Sequence, residues 1–281
     1  MNHKRGFTLV ELIVVMVLTG IIGVSMMVFF KPTIDAYFDA RRRAEMTDAA
    51  DTALQRISRD VRSAVPNSIR AFGNDCFEFL PTSAGGRYRM AADIDSGVDQ
   101  ALDITLPVTT FDVLSPLSAA PAIGDWVVIG NQNTDDVYVT PASGTTRAQL
   151  TAVGAGNAVR EASLTVGSHQ FPPGYEGGRF VVVPNNGGSP AVVYVCSGAG
   201  VDAAGNGTGT LNRVSRAFSD TLASCPAGGA TLATRVAACN FIYDPNHGAT
   251  QQSGFIWLQL ELRESGESVA MAYGVHVSNV P

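Results

Sequence analysis

An apolar segment from Phe7 to Phe30 follows a short basic head and contains a single charged residue, Glu11. The segment is longer than the roughly 20 helical residues that are needed to span a bilayer. A carboxylate inside such a segment costs on the order of a few kcal/mol unless another group pairs with it. The sequence therefore predicts one membrane-spanning helix, in which Glu11 needs a partner.

Two common kinds of N-terminal segment explain only part of this pattern. A secretory signal has a shorter apolar core that ends at a small-residue cleavage site, and this segment has no convincing site of that kind. A plain signal anchor accounts for Lys4 and Arg5 by the positive-inside rule. It gives no reason for Glu11, or for Gly6 at the junction between the basic head and the apolar segment.

The junction, Gly6-Phe7-Thr8-Leu9-Val10-Glu11, resembles the processing site of type IV pilins and of the pseudopilins of type II secretion. The resemblance implies that residues 1–6 are a leader, which prepilin peptidase removes by cutting after Gly6. The same enzyme would then methylate the new amine of Phe7. Glu11 would pair with the amine of a neighbouring subunit, so that two buried charges neutralise each other. Residues 7–30 would be the transmembrane segment.

Five later stretches resemble the O-type minor pilins of the mannose-sensitive haemagglutinin pilus. These stretches are Ser63–Arg70, Cys76–Pro81, Val193–Cys196, Cys239–Tyr243 and Val275–Pro281. The resemblance implies a low-abundance subunit that helps to initiate or join a type IV pilus, with the filament tip as a candidate position. Its partners would be prepilin peptidase and other major and minor pilins. The chain would cross the inner membrane once, with its C-terminal domain in the periplasm, before it enters a surface pilus.

Two other functions stay open at this point. The J-type minor pseudopilins of type II secretion share the same plan. A tip adhesin that binds a surface glycan or protein is the second alternative, because loops on a rigid sheet suit recognition. The aromatic residues that could stack on such a ligand are Trp126, Tyr138, Phe171 and Tyr175.

The helix is expected to continue well beyond the membrane. No Gly or Pro interrupts the chain from Ile34 to Val65, and apolar residues recur there at helical spacing, with Pro66 as the stop signal. Residues 31–65 are therefore predicted to be an amphipathic continuation of the helix. Pro32 should kink or loosen it, because proline removes one backbone hydrogen bond.

Residues 66–281 are predicted to form a β-rich globular domain. Short apolar or alternating runs between turn signals predict strands, which are Cys76–Leu80, Leu102–Val108, Trp126–Ile129, Val137–Thr140, Leu164–Val166, Phe180–Val183, Ala191–Cys196, Leu211–Arg216, Asn240–Tyr243, Phe255–Leu262 and Val269–Val277. The Gly-, Ala- and Asn-rich segments 141–160 and 197–210 are predicted to be loops.

The last two predicted strands alternate apolar and polar residues around Ser265-Gly266. That pattern indicates an antiparallel hairpin with one buried face, which we expect the long helix to cover. The fold class is therefore α+β: a long N-terminal transmembrane and amphipathic helix packed on an antiparallel sheet, with β-rich insertions.

Four cysteines, Cys76, Cys196, Cys225 and Cys239, lie beyond the apolar segment. If this part of the chain is exported, the compartment is oxidising and disulfides are expected. Four cysteines allow three pairings. The preferred prediction is Cys225–Cys239, across the Gly228-Gly229 turn, with Cys76–Cys196 as the second bridge.

The composition argues against several chemistries. The net charge is −6, and acidic neighbours offset the one arginine run, Arg41–Arg43, so no nucleic-acid partner is expected. The four histidines lack metal-ligand spacing. No enzymatic activity, metal or cofactor is therefore predicted. The acidic stretches 93–99 and 131–136 supply oxygen ligands for a weaker calcium hypothesis.

Overall fold

The computed structural model describes residue 6 and residues 8–92, 100–173, 177–247 and 253–280. Within these ranges the chain forms one long α-helix and thirteen β-strands, which are arranged in two antiparallel sheets. This arrangement confirms the predicted α+β class.

Helix α1 (Leu9–Arg62) is continuous through Pro32. Thr8 caps its start, and at its end the backbone N–H groups of Ser63 and Ala64 donate to the carbonyls of Asp60 and Val61, respectively. Pro32 cannot donate a backbone hydrogen bond to the carbonyl four residues earlier, yet the helix continues through this position without a break.

Seven strands form the first sheet. In spatial order they are β1 (Arg70–Phe72), β2 (Cys76–Phe79), β9 (Ala191–Ser197), β10 (Gly209–Arg216), β11 (Ala230–Asp244), β12 (Ser253–Glu264) and β13 (Glu267–Ser278). The predicted hairpin is confirmed, because β12 and β13 pair from Ser253↔Ser278 to Glu264↔Glu267. The apolar residues of β12 at alternate positions are buried against the second half of α1. The helix therefore covers this face, as the alternation predicted.

Six strands form the second sheet. In spatial order they are β3 (Ala84–Arg87), β8 (Arg179–Val183), β5 (Trp126–Val128), β6 (Arg147–Asn157), β7 (Arg160–His169) and β4 (Val108–Val113). A bridge between Tyr88 and Val113 joins its two edge strands, so the sheet closes on itself at that point. The rings of Tyr88, Phe111 and Phe180 pack edge to face inside it. The whole sheet is an insertion between β2 and β9 of the first sheet.

Three secondary-structure predictions in the inserted sheet were wrong. The supposed loop 141–160 contains β6, where Gly154 and Gly156 permit a close approach to β7 rather than a turn: a Cβ on Gly156 would lie 2.3 Å from the carbonyl oxygen of Glu161. The run Leu102–Val108 is not a strand, and β4 only begins at Val108. The run Val137–Thr140 belongs to a turn, and its apolar residue Val137 is buried in that turn rather than in a strand.

The predicted disulfide pairing was also wrong, although all four cysteines form disulfides. The bridges are Cys76–Cys225 and Cys196–Cys239. No tight hairpin joins Cys225 to Cys239. Strand β11 starts at Ala230 and carries Cys239 away from Cys225, because an extended chain advances about 3.3 Å per residue.

The turn before β2 explains the observed partners of the second bridge. The backbone N–H of Cys196 donates to Asp75 O (2.8 Å), and that of Phe241 donates to Asn74 O (2.9 Å). The end of β9 and the second half of β11 therefore meet at this turn, which brings Cys196 to Cys239. Sequence separation alone carries no information about this contact.

Candidate assembly site

The first half of α1 has no covering partner within the described chain. Each large apolar side chain from Leu9 to Phe38 is at least 46% exposed. At 1.5 Å per residue this stretch is about 45 Å long. This is the one described helix that is long and apolar enough to cross a membrane. An apolar surface of this size needs lipid or other protein chains around it.

Glu11 lies in the first turn of this apolar half. The Oγ1 atom of Thr8 accepts a hydrogen bond from the backbone N–H of Glu11 (3.3 Å), which is one half of a Thr-x-x-Glu capping arrangement. The helix dipole favours a carboxylate at this end. No described residue donates a side-chain hydrogen bond to the Glu11 carboxylate, and its side chain is exposed. The group is therefore available to a cation from outside the chain.

Of the two residues predicted to flank the processing cut, Gly6 is exposed, and Phe7 lies outside the described residues. A Cβ on Gly6 would meet no heavy atom within 4 Å. Gly6 is therefore accessible ahead of the Thr8 cap.

Two hydroxyl groups in the apolar half are paired within the helix. Thr19 Oγ1 donates to Val15 O (2.7 Å), and Thr33 Oγ1 donates to Phe29 O (3.3 Å). Such bonds to the preceding turn remove most of the cost of a hydroxyl in an apolar medium. Thr19 and Thr33 therefore need no partner from outside the helix, whereas Glu11 still does.

The second half of α1 is fixed to the first sheet by an apolar face. Its buried side chains recur at helical spacing and join one core cluster with β9 to β13; they are Met46, Ala50, Ala53, Leu54, Ile57 and Val61. This burial is typical of an amphipathic helix on a sheet. The two halves of one continuous helix therefore meet different surroundings.

Polar contacts add specificity to this packing. Asp60 accepts hydrogen bonds from Tyr194 Oη (2.6 Å) and from Arg213 Nε (3.1 Å). Burial, followed by the bond to Asp60, raises the pKa of Tyr194, so this phenol stays protonated as a donor. Nearer the apolar half, Arg43 Nε lies 2.5 Å from Glu267, and Tyr273 donates to Asp51. These contacts hold the helix to β9, β10 and β13.

A buried ionic cluster fixes the junction between the two sheets. Arg70 Nε donates to Glu78 Oε2 (2.7 Å), and Arg216 Nε lies 2.9 Å from the other oxygen, Oε1, without hydrogen-bond alignment. Burial raises the pKa of Glu78, and the two arginines oppose that rise. The Arg70 guanidinium also lies 3.7 Å from the ring centre of Tyr138. The cluster therefore ties the turn that contains Tyr138 to β1 and β2.

The structure removes two of the proposed stacking residues from consideration. Tyr138 and Phe171 are buried in the core. Trp126 is half-buried against Phe218, and Tyr175 lies outside the described residues. The three described members of this set, Trp126, Tyr138 and Phe171, therefore do not form an exposed glycan platform.

The calcium hypothesis gains no support. The stretch 93–99 lies outside the described residues. In the stretch 131–136, Asp135 pairs with Arg70 (3.3 Å), and Asn133 donates to Asp136 (2.8 Å). The described ranges contain no group of three or more His, Cys, Asp or Glu residues arranged to hold a metal.

The three arginines of the run Arg41–Arg43 each pair with an acidic residue of the chain. Arg41 pairs with Glu45 and Arg42 with Asp39 along the helix, while Arg43 reaches Glu267 on β13. The sequence anticipated the first two acidic partners but not the third.

Sequence reasoning missed one surface feature, a groove beside the inserted sheet with Arg87 and Arg179 at its rim. A signal was present, because both arginines end a Gly-Gly-Arg tripeptide. Nothing in the sequence indicated that the two tripeptides meet.

Residues 1–27 match the family model that describes the prokaryotic N-terminal methylation motif. The chain carries that motif. No curated protein and no solved structure is detectably similar to the chain. The methylation motif covers Gly6, Phe7 and Glu11, and together with the exposed helix it supports a membrane-anchored protein of the type IV pilin or pseudopilin kind. Such a protein is a structural subunit, processed by prepilin peptidase and assembled with other pilins.

Proposed function

We propose that this chain is a minor pilin, which prepilin peptidase cleaves after Gly6 and which then helps to initiate or join a type IV pilus. Residues 1–6 are the leader, residues 7–30 the membrane and filament-core segment, and residues 31–65 the continuation that docks on the head. The observation that carries the proposal is one helix with two environments. Its exposed apolar half bears the methylation motif, and its second half is locked to a β-rich head of residues 66–281.

The role of Glu11 follows from its position in the apolar half. While the subunit stands alone in the inner membrane, its carboxylate has no cation within the described chain. A methylated amine on Phe7 of a neighbouring subunit supplies that cation when the helices bundle. A buried ion pair is favourable only when both partners are present, so this pair stabilises the assembled filament rather than the isolated subunit.

The positions of the stretches that resemble O-type minor pilins support a minor rather than a major role. The four O-type stretches that follow the helix end lie on or next to β2, β9, β11 and β13 of the first sheet. The inserted sheet carries none of them. A subunit that occurs once at a filament end needs room for such an insertion once, whereas a major subunit needs it at every repeat.

The test combines mass spectrometry of native pili with two matched variants in the source bacterium. We expect the purified filaments to contain this chain with an N-methylated Phe7 at its start. Glu11→Gln should still be processed but should be lost from the filaments. Asp48→Asn, which removes an exposed carboxylate of the docked half, should be incorporated normally.

Two results would count against the proposal. Normal incorporation of Glu11→Gln would remove the charge-pairing account. A deletion strain that keeps its pili but no longer exports type II secretion substrates would identify a J-type-like pseudopilin instead. An unchanged mature mass in Gly6→Ala would count against the assigned cut, because removal of the leader would then not depend on Gly6.

A further inference from the structure

A groove of about 390 Å³ lies between the inserted sheet and the chain that leaves α1. Its volume is within the usual range for small-ligand sites. One wall is the outer face of the inserted sheet, where Gly85 and Val128 each lie opposite Val181. The other wall contains Val65 and Pro66. The groove is therefore mainly apolar.

Two arginines lie side by side at the rim of this groove. Arg87 on β3 is the direct cross-strand partner of Arg179 on β8. Directly opposed residues of an antiparallel pair project from the same face, and like charges in such positions destabilise the sheet. Both side chains are exposed, and neither guanidinium pairs with an acidic group in the described parts of the chain. An anion seated between them would offset their repulsion.

A buried acceptor without a donor lines the same groove. Asn131 is 1% exposed, and its Oδ1 atom has no hydrogen-bond donor among the described residues. Its orientation is fixed, because Nδ2 donates to Pro66 O (2.7 Å), and a carbonyl oxygen can only accept. The backbone carbonyl of Asn131 is also held, by Asn67 Nδ2 (2.9 Å). A buried acceptor without a donor is unfavourable, so a ligand that supplies an N–H gains from this site.

The floor of the groove is kept open by glycine. A Cβ on Gly85 would lie 3.1 Å from Phe180 O and 3.4 Å from Val181 Cγ1. Any larger residue would crowd β8 and reduce the space above it. The opening is thus a property of the inserted sheet itself.

We propose that this groove binds the free carboxy-terminus of an apolar peptide. The terminal carboxylate lies between Arg87 and Arg179, where charge-assisted bonds are strongest. The last side chain packs on Gly85, Val128 and Val181. A peptide N–H donates to Asn131 Oδ1. A fatty acid would satisfy the arginines and the apolar wall, but it has no N–H for Asn131. The proposal does not depend on the filament role.

The test measures fluorescence polarisation with the full chain in lipid nanodiscs, which avoid free detergent in the groove. The probe is a fluorescein-labelled Gly-Ala-Val-Leu peptide with a free carboxy-terminus. We expect saturable binding, and a loss of about tenfold or more in affinity when the carboxylate is replaced by an amide, because one charge-assisted contact is removed. Arg87→Gln and Arg179→Gln should each lower the affinity for the free-acid peptide by a similar factor.

Arg56→Gln is the matched control, because it removes an exposed charge from the helix, away from the groove. It should bind the peptide as the unmodified chain does. Equal binding of the acid and amide peptides would overturn the proposal, and so would an equal loss in Arg56→Gln. Competition by decanoate as strong as that by unlabelled peptide would also overturn it, because it would show that the groove recognises a lipid carboxylate. Unchanged melting curves would show that the arginine variants are folded.

Discussion

Tyr194 donates a 2.6 Å hydrogen bond to Asp60, and through it a strand in the middle of the first sheet is joined to the last turns of α1. The phenol is buried, and the same carboxylate also accepts a bond from Arg213 at 3.1 Å. The hydrogen bond links two residues that are far apart in sequence and attaches the end of α1 to the first sheet.

Tyr194→Phe should therefore weaken the head without changing its fold. It removes one hydrogen bond to a charged acceptor and leaves Arg213 as the remaining donor to Asp60, so the loss in unfolding free energy should be about 2 kcal/mol. Urea unfolding of the full chain in nanodiscs, followed by tryptophan fluorescence, measures it. Tyr37→Phe, at an exposed helix position, should leave the midpoint unchanged. Equal midpoints for both variants would contradict the assigned role of this bond.

The two halves of α1 should respond differently to the same substitution. Ile57 is fully buried against the first sheet, whereas Ile22 is 55% exposed in the apolar half. Ile57→Ala should lower the unfolding free energy of the head by about 2–5 kcal/mol. Ile22→Ala should leave that value unchanged. Both tryptophans, Trp126 and Trp257, lie in the head and report its unfolding directly. A similar loss in both variants would show that the halves are not energetically separate.

The disulfide pairing can be read from a tryptic digest without reduction. The four cysteines fall in separate peptides, 71–87, 180–213, 217–235 and 236–263. We expect masses that join 71–87 to 217–235 and 180–213 to 236–263. In the chain-entropy account, a disulfide stabilises the folded chain more when it closes a longer loop. Cys76–Cys225, with a separation of 149 residues, should contribute about 5 kcal/mol. Cys196–Cys239, with a separation of 43 residues, should contribute about 4 kcal/mol. A linked pair 217–235 with 236–263 would restore the pairing expected from sequence.

The buried Glu78 should give the head an unusual pH dependence. Burial raises the pKa of Glu78 in the folded chain above its ordinary value of 4.5. Between the pKa of Glu78 in the unfolded chain and its higher pKa in the folded chain, the folded state therefore holds more protons than the unfolded state. The contribution of Glu78 to stability is complete below the unfolded pKa and is lost as the pH rises through the folded pKa.

Glu78→Gln should remove that contribution to the slope of stability against pH above about 4.5. Urea unfolding at several pH values measures the slope. Glu45→Gln, at an exposed helix position, is the matched control and should keep the slope of the unmodified chain. A slope that Glu78→Gln leaves intact would mean that another group is responsible for it.

The helix and the terminal hairpin were predictable because their signals are local. The spacing of Leu54, Ile57 and Val61 records one packed face of a helix, and the alternation along β12 records one buried face of a sheet. Each pattern lies within a few turns or one strand of the chain, so it can be read without knowing which element packs against it.

The remaining features depend on contacts between distant segments. The partner of Cys239 is decided at the turn of Asn74 and Asp75, where β9 and β11 converge. The two Gly-Gly-Arg tripeptides become one cationic rim only through the register of β3 with β8. The glycines of β6 resemble turn signals until the close approach of β7 is known. None of these relationships is encoded within a single stretch of sequence.

The insertion of the second sheet between β2 and β9 has a mechanical consequence. Tension along α1 enters the first sheet at β13, through the Arg43–Glu267 and Tyr273–Asp51 contacts. The inserted sheet joins that framework by the two chain segments that lead to Ala84 and away from Val183 and by the buried contact of Arg70 with Tyr138, so it lies beside the line of force. The tension therefore passes through the disulfide-linked first sheet, and the groove of the inserted sheet lies outside that path.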